Sequence, residues 1–265
     1  MLLDPGFISP NTFILIRVAV ASLLFFLFFR SDVRKIIENF KEFLICAVTG
    51  VVTNQLLFFN GLKHTSPIHA SLIMVGTPLI VLWMSMYQKN HLNWNQWIGS
   101  AAGFLGTTWL IYSGSSSTNS NASYTGDLMV LLNAVSYAFY LNRVPLLIER
   151  CGPFQTMQGI FFIGLILCIP FGLSGVDNII WAAFGWQEYL ALAFVLFFTT
   201  FIAYALNAYA MIHSPASLVS NYIYLQPLFA VIIAILIGKD QLNWIHFTCG
   251  ILIFTGIYIS ELKKD

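Results

Sequence analysis

Apolar stretches of about twenty residues, punctuated by a few polar ones, run along the whole chain. A helix rises about 1.5 Å per residue, so about 20 apolar residues cross a hydrocarbon layer about 30 Å thick. Nine segments reach that length: about 12–29, 42–62, 68–88, 95–113, 127–148, 155–173, 187–211, 216–237 and 246–262. Most connections are short, such as KHTSP (63–67) and IHSP (212–215), and helices joined that tightly run antiparallel as neighbours. The pattern predicts an all-α polytopic membrane protein with nine spans. One connection differs in kind. GSSSTNSNASYTG (114–126) is polar, flexible and uncharged, and it sits near the middle of the chain, where two halves would be joined.

The two halves carry matching text. SPIHASLIMVGTPLIVLWMSMYQKNHLNW (66–94) aligns with SPASLVSNYIYLQPLFAVIIAILIGKDQLNW (214–244). Each copy has Ser-Pro at the start of a span, a second proline within it (Pro78, Pro227) and then a Lys-x-x-Leu-Asn-Trp loop. A glycine follows 14 residues after the loop leucine in both (Gly106, Gly256). The plainer alternative is that one hydrophobic helix resembles another, which does not account for four shared features in one order. The copies lie five spans apart, and an odd number inverts the second relative to the first across the bilayer. Inverted repeats are the architecture of many secondary transporters, with the substrate site at the repeat interface. The expected organisation is a first repeat over 1–113, a linker over 114–125 and a second repeat over 126–262.

Composition agrees with lipid as the main solvent. Of the 265 residues 58% are hydrophobic and 9% charged, against roughly 25% charged in soluble domains; mean hydropathy is +0.79. A net charge of +1 argues against nucleic acid as a partner. Cys46, Cys151, Cys168 and Cys249 form no CxxC or Cys/His pattern and read as small buried hydrophobes.

Positive charge orients the spans. Alternating the loops puts Arg30, Arg34, Lys35, Lys41, Lys89, Arg143, Arg150, Lys263 and Lys264 on one side, and Lys63 and Lys239 on the other. Nine against two predicts a cytoplasmic C-terminus, and nine spans then put the N-terminus outside. The run 12–29 is too long for the apolar core of a signal peptide and no small-residue cleavage site follows it, so it reads as a true span.

The stretches NGLKHTSPIHASLIMVGTPLIVLWMS (60–85), NAYAMIHSPASLVSNYIYLQPLFAVIIAILIGKDQLNWIHFTCGILIFTGIYIS (207–260) and GDLMVLLNAVSYAFYLNR (126–143) resemble EamA-type members of the drug/metabolite transporter superfamily. The resemblance covers essentially the whole chain. It implies two sets of five spans with both ends in the cytoplasm, and export of amino acids, nucleosides, drugs or other metabolites. Residues 7–29 are similar to the family's second span, with Arg17 at its characteristic arginine. The resemblance therefore implies a tenth span upstream of Met1, with nine in the chain as given.

Candidate functional residues are polar groups within spans. All eleven acidic residues fall in loops or at span ends, which weakens the case for carboxylate-based proton coupling and favours a facilitator or exchanger. Arg17 is the one charge well inside a span; it reads either as a tie between helices or as a gate latch or contact to an anionic substrate. Asn133, Tyr137 and Tyr140 share one helical stripe, and Thr200, Tyr204 and Asn207 another at the same spacing. Asn54, Asn221 and Tyr224 add to them as substrate-binding candidates, the alternative being interhelical hydrogen bonding. Trp94, Trp97 and Trp244 flank loops and read as interfacial anchors. Pro78 and Pro227, with Gly76 and Gln226 beside them, are candidate hinges or static kinks. The five histidines show no HxxxH or HExxH spacing, so no metal site is expected; His69, one turn into its span, is the one candidate for coupling. Asn121-Ala122-Ser123 matches a glycosylation acceptor and reads as a chance match.

The expected function is export of small metabolites by alternating access, from a bacterial inner membrane, without cofactor. The expected partners are a small-molecule substrate and the lipid bilayer, with a second copy of the chain in a homodimer. A receptor or helper subunit is the main alternative. An integral-membrane enzyme is the weaker one, since it needs clustered His, Asp or Ser/His groups near an interface and the sequence has none.

Overall fold

The computed structural model describes residues 8–65, 67–87, 94–114, 123–177, 179, 181, 184–236 and 244–262. Both Lys-x-x-Leu-Asn-Trp loops, apart from Trp94 and Trp244, and most of the expected linker lie outside the described residues. All regular structure among the described residues is helical: α1 (Pro10–Phe28), α2 (Val33–Glu38), α3 (Phe40–Ala47), α4 (Thr53–Leu62), α5 (Pro67–Val75), α6 (Thr77–Tyr87), α7 (Trp94–Gly114), α8 (Tyr124–Cys151), α9 (Pro153–Gly172), α10 (Trp186–Phe194), α11 (Ala203–Ala210), α12 (Ala216–Asn221), α13 (Leu225–Leu236) and α14 (Trp244–Glu261), with short π and 3-10 segments between some of them.

Among the described residues six helical runs are long and apolar enough to cross a membrane: Pro10–Phe28, Phe40–His64, Tyr124–Cys151, Pro153–Gly175, Trp186–Ala210 and Ala216–Ile233. The other three expected spans are helical too. His69–Ser85 and Trp244–Ser260 are shorter apolar helices, and α7 has 21 residues with more polar and small side chains. Large apolar side chains stand exposed along these helices, for example Leu27 at 72% and Leu236 at 80%, as a lipid-facing surface allows.

Four spans are not uniform α-helix. A π-helical segment, Val48–Val52, joins α3 to α4, and another, Val195–Ile202, joins α10 to α11. Helices α5 and α6 break at Gly76, whose amide turns back to Ile73 O at 3.0 Å. Between α12 and α13 lies one 3-10 turn, Tyr222–Tyr224. The expected prolines sit just after these breaks. Pro78 is the second residue of α6 and Pro227 the third of α13, positions where a missing amide proton costs little because the first turn has no partner for it. Each proline also removes the bond to, and crowds, the carbonyl four residues earlier, so a break in the turn just ahead of it is the expected effect.

The helices gather into two compact units, residues 1–60 with 143–214, and residues 61–142 with 215–265. In the first unit α1 packs along α9. Phe29, after the end of α1, stacks on Phe154 at the start of α9 with ring centroids 4.2 Å apart. At the other end Thr12 Oγ1 donates to Gly172 O at 3.1 Å. The two helices are thus antiparallel. Gly159 and Gly164 of α9 make room for Phe43 and Val51, which brings the α3–α4 run against the same helix.

In the second unit α7 and α14 form the most extensive helix pair. Gly99 lies against Gly256 and Ser260, and Gly106 against Cys249 and Ile253, again antiparallel. A Cβ at Gly99 would stand 2.3 Å from Gly256 O, so the close approach depends on glycine. Helix α12 packs on α6. One glycine is needed for its backbone: Gly152, between α8 and α9, has φ +85° and lets Pro153 open the next helix.

Candidate functional site

In the first unit the polar side chains converge on Arg17. Its Nε donates to Thr200 Oγ1 at 3.0 Å. Thr200 is fully buried, and its hydroxyl donates in turn to Val195 O at 2.9 Å, five residues back, within the π segment. The extra residue per turn there is what carries that hydroxyl to the guanidinium. The Arg17 guanidinium carbon also lies 5.7 Å from the Phe13 ring centroid and 5.3 Å from that of Phe59. Arg17 makes no ion pair among the described residues.

The magnitudes are comparable. An arginine at the centre of a span costs about 2.5–3.5 kcal/mol by insertion scales, a hydrogen bond to a charged group returns about 1.5–3 kcal/mol, and a cation–π contact about 0.5–2 kcal/mol.

Tyr204 stands one turn from Thr200, close enough to Arg17 and to Gln55 for both to act on its hydroxyl, and its ring meets Phe161 edge-on at 4.9 Å. Gln55 is 3% exposed, its amide turned to the Tyr204 hydroxyl without closing a hydrogen bond of ordinary length. Asn54 and Asn207, both half-buried, belong to the same unit on α4 and α11. Sequence reasoning passed over Gln55, although the rule that singled out Asn54, a polar residue within an apolar run, applies equally to its neighbour.

In the second unit Asn133 is 1% exposed and its Nδ2 lies 3.1 Å from Met74 Sδ. Tyr137 stacks on Tyr140 with centroids 5.8 Å apart, as their shared stripe predicts. Asn221 is held at both ends of its amide. Ser100 Oγ donates to Oδ1 at 2.8 Å, and Nδ2 donates to Ser260 Oγ at 2.8 Å, which ties α12 to α7 and α14 together. Tyr224 is completely buried with its ring seated over Gly103, and Thr107 Oγ1 donates to its carbonyl at 3.4 Å. In this geometry both side chains are buried against α7.

Two charged groupings lie at span ends, one of them including His69, the candidate for coupling. Asp127, in the first turn of α8, accepts a short hydrogen bond from Thr65 Oγ1 and lies 3.2 Å from His69 Nδ1. Arg143 grips Glu42 with both ends of its guanidinium, Nε at 3.0 Å and Nη2 at 3.2 Å. Neither pairing is visible in sequence, because the partners are 58 and 101 residues apart. A separate groove of about 430 Å³ between α13 and α14 is apolar except for His246 and Thr255 and has no converging polar groups.

An apolar helical chain with irregular segments and polar side chains inside its long helices fits a carrier. Comparison with known proteins decides the family: the profile of the EamA-like transporter family matches residues 4–112 and again 124–262. The chain belongs to the EamA-like transporter family. Among its EamA relatives, YyaM of Bacillus subtilis, an uncharacterized transporter, is 27% identical over 97% of this chain and 86% of its own length. The uncharacterized inner membrane transporter YedA of Escherichia coli is 24% identical over 72% of this chain and 61% of its own. A solved crystal structure matches with a TM-score of 0.75 at 15% identity, over 98% of this chain and 90% of the other, a likeness of fold. This EamA chain is thus a membrane transporter by family, with relatives that are transporters and none named as an enzyme.

Proposed function

We propose that the chain exports small metabolites by alternating access between two inverted repeats, residues 1–113 and 126–262, with its nine helical runs as nine spans and the C-terminus in the cytoplasm. One observation carries the reading: helices five spans apart pack on each other antiparallel. Helix α1 lies along α9 and α7 along α14, and α12 packs on α6. Helices exchanged by a twofold axis in the membrane plane that meet at that axis have to run in opposite directions. The irregular segments recur at the same spacing, π at Val48–Val52 and Val195–Ile202, and a helix break at Gly76 and Tyr222–Tyr224. The family profile matches twice, over stretches close to the two repeats. Broken helices at mirrored places are where secondary transporters expose backbone and rock, which gives Pro78 and Pro227 a hinge role.

Asn54, Asn133, Tyr137, Tyr140, Thr200, Tyr204, Asn207, Asn221 and Tyr224 are the substrate-contact candidates in this reading, the last two also bonded or packed between helices. Counterflow of radiolabelled amino acids, nucleosides and cationic drugs in proteoliposomes tests it. A carrier accelerates uptake when unlabelled solute is loaded inside, and a receptor does not. Tyr204→Ala and Asn133→Ala lower flux at unchanged protein level. Normal flux in both removes these residues from the pathway, and no counterflow with any solute class overturns the export assignment.

A further inference from the structure

The Arg17 cluster has more donors than the protein satisfies. Among the described residues the only hydrogen bond of the Arg17 side chain is from Nε to Thr200, which leaves the two terminal nitrogens, the end-on pair of the guanidinium fork, with no protein acceptor. Gln55, which shares Tyr204 as a neighbour with Arg17, is 97% buried, its amide turned to the Tyr204 hydroxyl without closing a hydrogen bond, and among the described residues no carboxylate pairs with Arg17. Buried polar atoms are rarely left unpaired in a settled core. Here the buried Gln55 amide is such a group, and Tyr204 stands between it and the guanidinium, which faces the Phe13 and Phe59 rings.

We propose that this cluster is a binding site for the carboxylate of a small organic acid, with Arg17 as its anchor. The proposal rests on the transporter reading and narrows its substrate class. Two parallel N–H groups match the two oxygens of a carboxylate, a geometry arginine offers and lysine does not. Thr200 fixes the fork by occupying Nε, so the terminal pair is presented in one orientation. The Gln55 amide supplies a donor and an acceptor to a substituent next to the carboxylate, and the phenylalanine rings supply an apolar wall for the remainder of the molecule. A low-dielectric surrounding strengthens the charge pair and makes a neutral isostere a poor substitute.

The test is equilibrium binding of radiolabelled lactate, L-phenylalanine and phenylacetate to the full chain in detergent, each beside its carboxamide. At least one acid binds tenfold or more tightly than its amide. Arg17→Gln abolishes that preference, Arg17→Lys retains a fraction of it, and Gln55→Leu weakens binding of the substituted acids more than of phenylacetate. Equal binding of acid and amide by the unmodified protein overturns the proposal without any variant, as does failure of all three acids to bind. A folded Arg17→Gln protein that keeps the preference also overturns it. The readout involves no flux. A carrier of neutral solutes would pass the counterflow test and fail this one, and a carboxylate receptor would do the reverse.

Discussion

Arg17 and Thr200, 183 residues apart, are joined by a 3.0 Å hydrogen bond from the arginine Nε to a threonine hydroxyl that sits on a π-helical segment. The contact ties α1 to the α10–α11 run and depends on the irregular turn, because an ordinary helix would rotate residue 200 by a large part of a turn relative to α10. The one charge deep in a span and one of the two π segments are therefore parts of the same construction.

Thr200→Val keeps the shape and removes the acceptor. The loss of a charge-assisted bond is worth about 1.5–3 kcal/mol, a fall in Tm of roughly 5 °C for a chain of this size. Thr200→Ser keeps the hydroxyl and melts close to the unmodified protein. Thermal melting of the three proteins in one detergent checks this; identical melting of Thr200→Val would show that Arg17 is held by its aromatic neighbours alone.

Glu42 and Arg143 give a second, separable case. Their side chains are 21% and 35% exposed, so solvent screens the pair, while bidentate geometry places it at the upper end of exposed ion pairs, about 1 kcal/mol. Glu42→Gln and Arg143→Gln should each lower stability by about that amount, and the double variant by less than the sum. Additive losses in a double-mutant cycle would mean that the two groups do not interact in the folded protein.

The helical runs were legible because apolar length alone identifies a segment that can cross lipid, and Ser-Pro, proline and glycine recur in register in the two stretches that the family profile matches. The irregular segments were not. Val48–Val52 and Val195–Ile202 read as ordinary apolar helix, since a π turn is selected by tertiary contacts such as that of Thr200 with Arg17 and has no local signature. The prolines drew attention to these places, and the chain breaks at Gly76 and at Tyr222–Tyr224, in the turn just ahead of each. The stripe rule brought Tyr137 and Tyr140 together correctly, since neighbours on one helix face are set by its period alone. It could not separate a cavity side chain from a packing one. Asn221 and Tyr224 are enclosed because α7 carries serine and glycine opposite them, which becomes visible only once the helices are paired.

Asn221 allows the packing role to be measured directly. Its amide satisfies Ser100 and Ser260 together, and interhelical bonds in membranes are worth about 0.6 kcal/mol on average, up to about 1.7. Asn221→Leu should therefore lower stability by about 1–3 kcal/mol, and adding Ser100→Ala should recover part of it by removing the hydroxyl that loses its acceptor, while Ser260 keeps its bond to Ile257 O. Flux should follow the amount of folded protein. A variant as stable as the original but without flux would return Asn221 to the substrate pathway.

The α7–α14 contact yields the sharpest contrast between two glycines. At Gly99 a Cβ would meet Gly256 O at 2.3 Å and Ser260 N at 2.6 Å, both backbone atoms of a rigid helix that cannot swing aside. At Gly250 the nearest atom is Leu228 Cδ1 at 3.5 Å, ordinary van der Waals contact with a side chain lining the apolar groove. Gly99→Ala must push α14 outward, loosening the Gly103 and Gly106 contacts as well, and the expected result is a marked loss of folded protein on size exclusion. Gly250→Ala gains helix propensity, roughly 0.8–1 kcal/mol, with no clash and should melt at or above the original temperature. Fluorescent-fusion size exclusion and melting of both variants decide the matter. A well-behaved Gly99→Ala protein would mean that the two helices stand farther apart in the membrane than the close pairing described above.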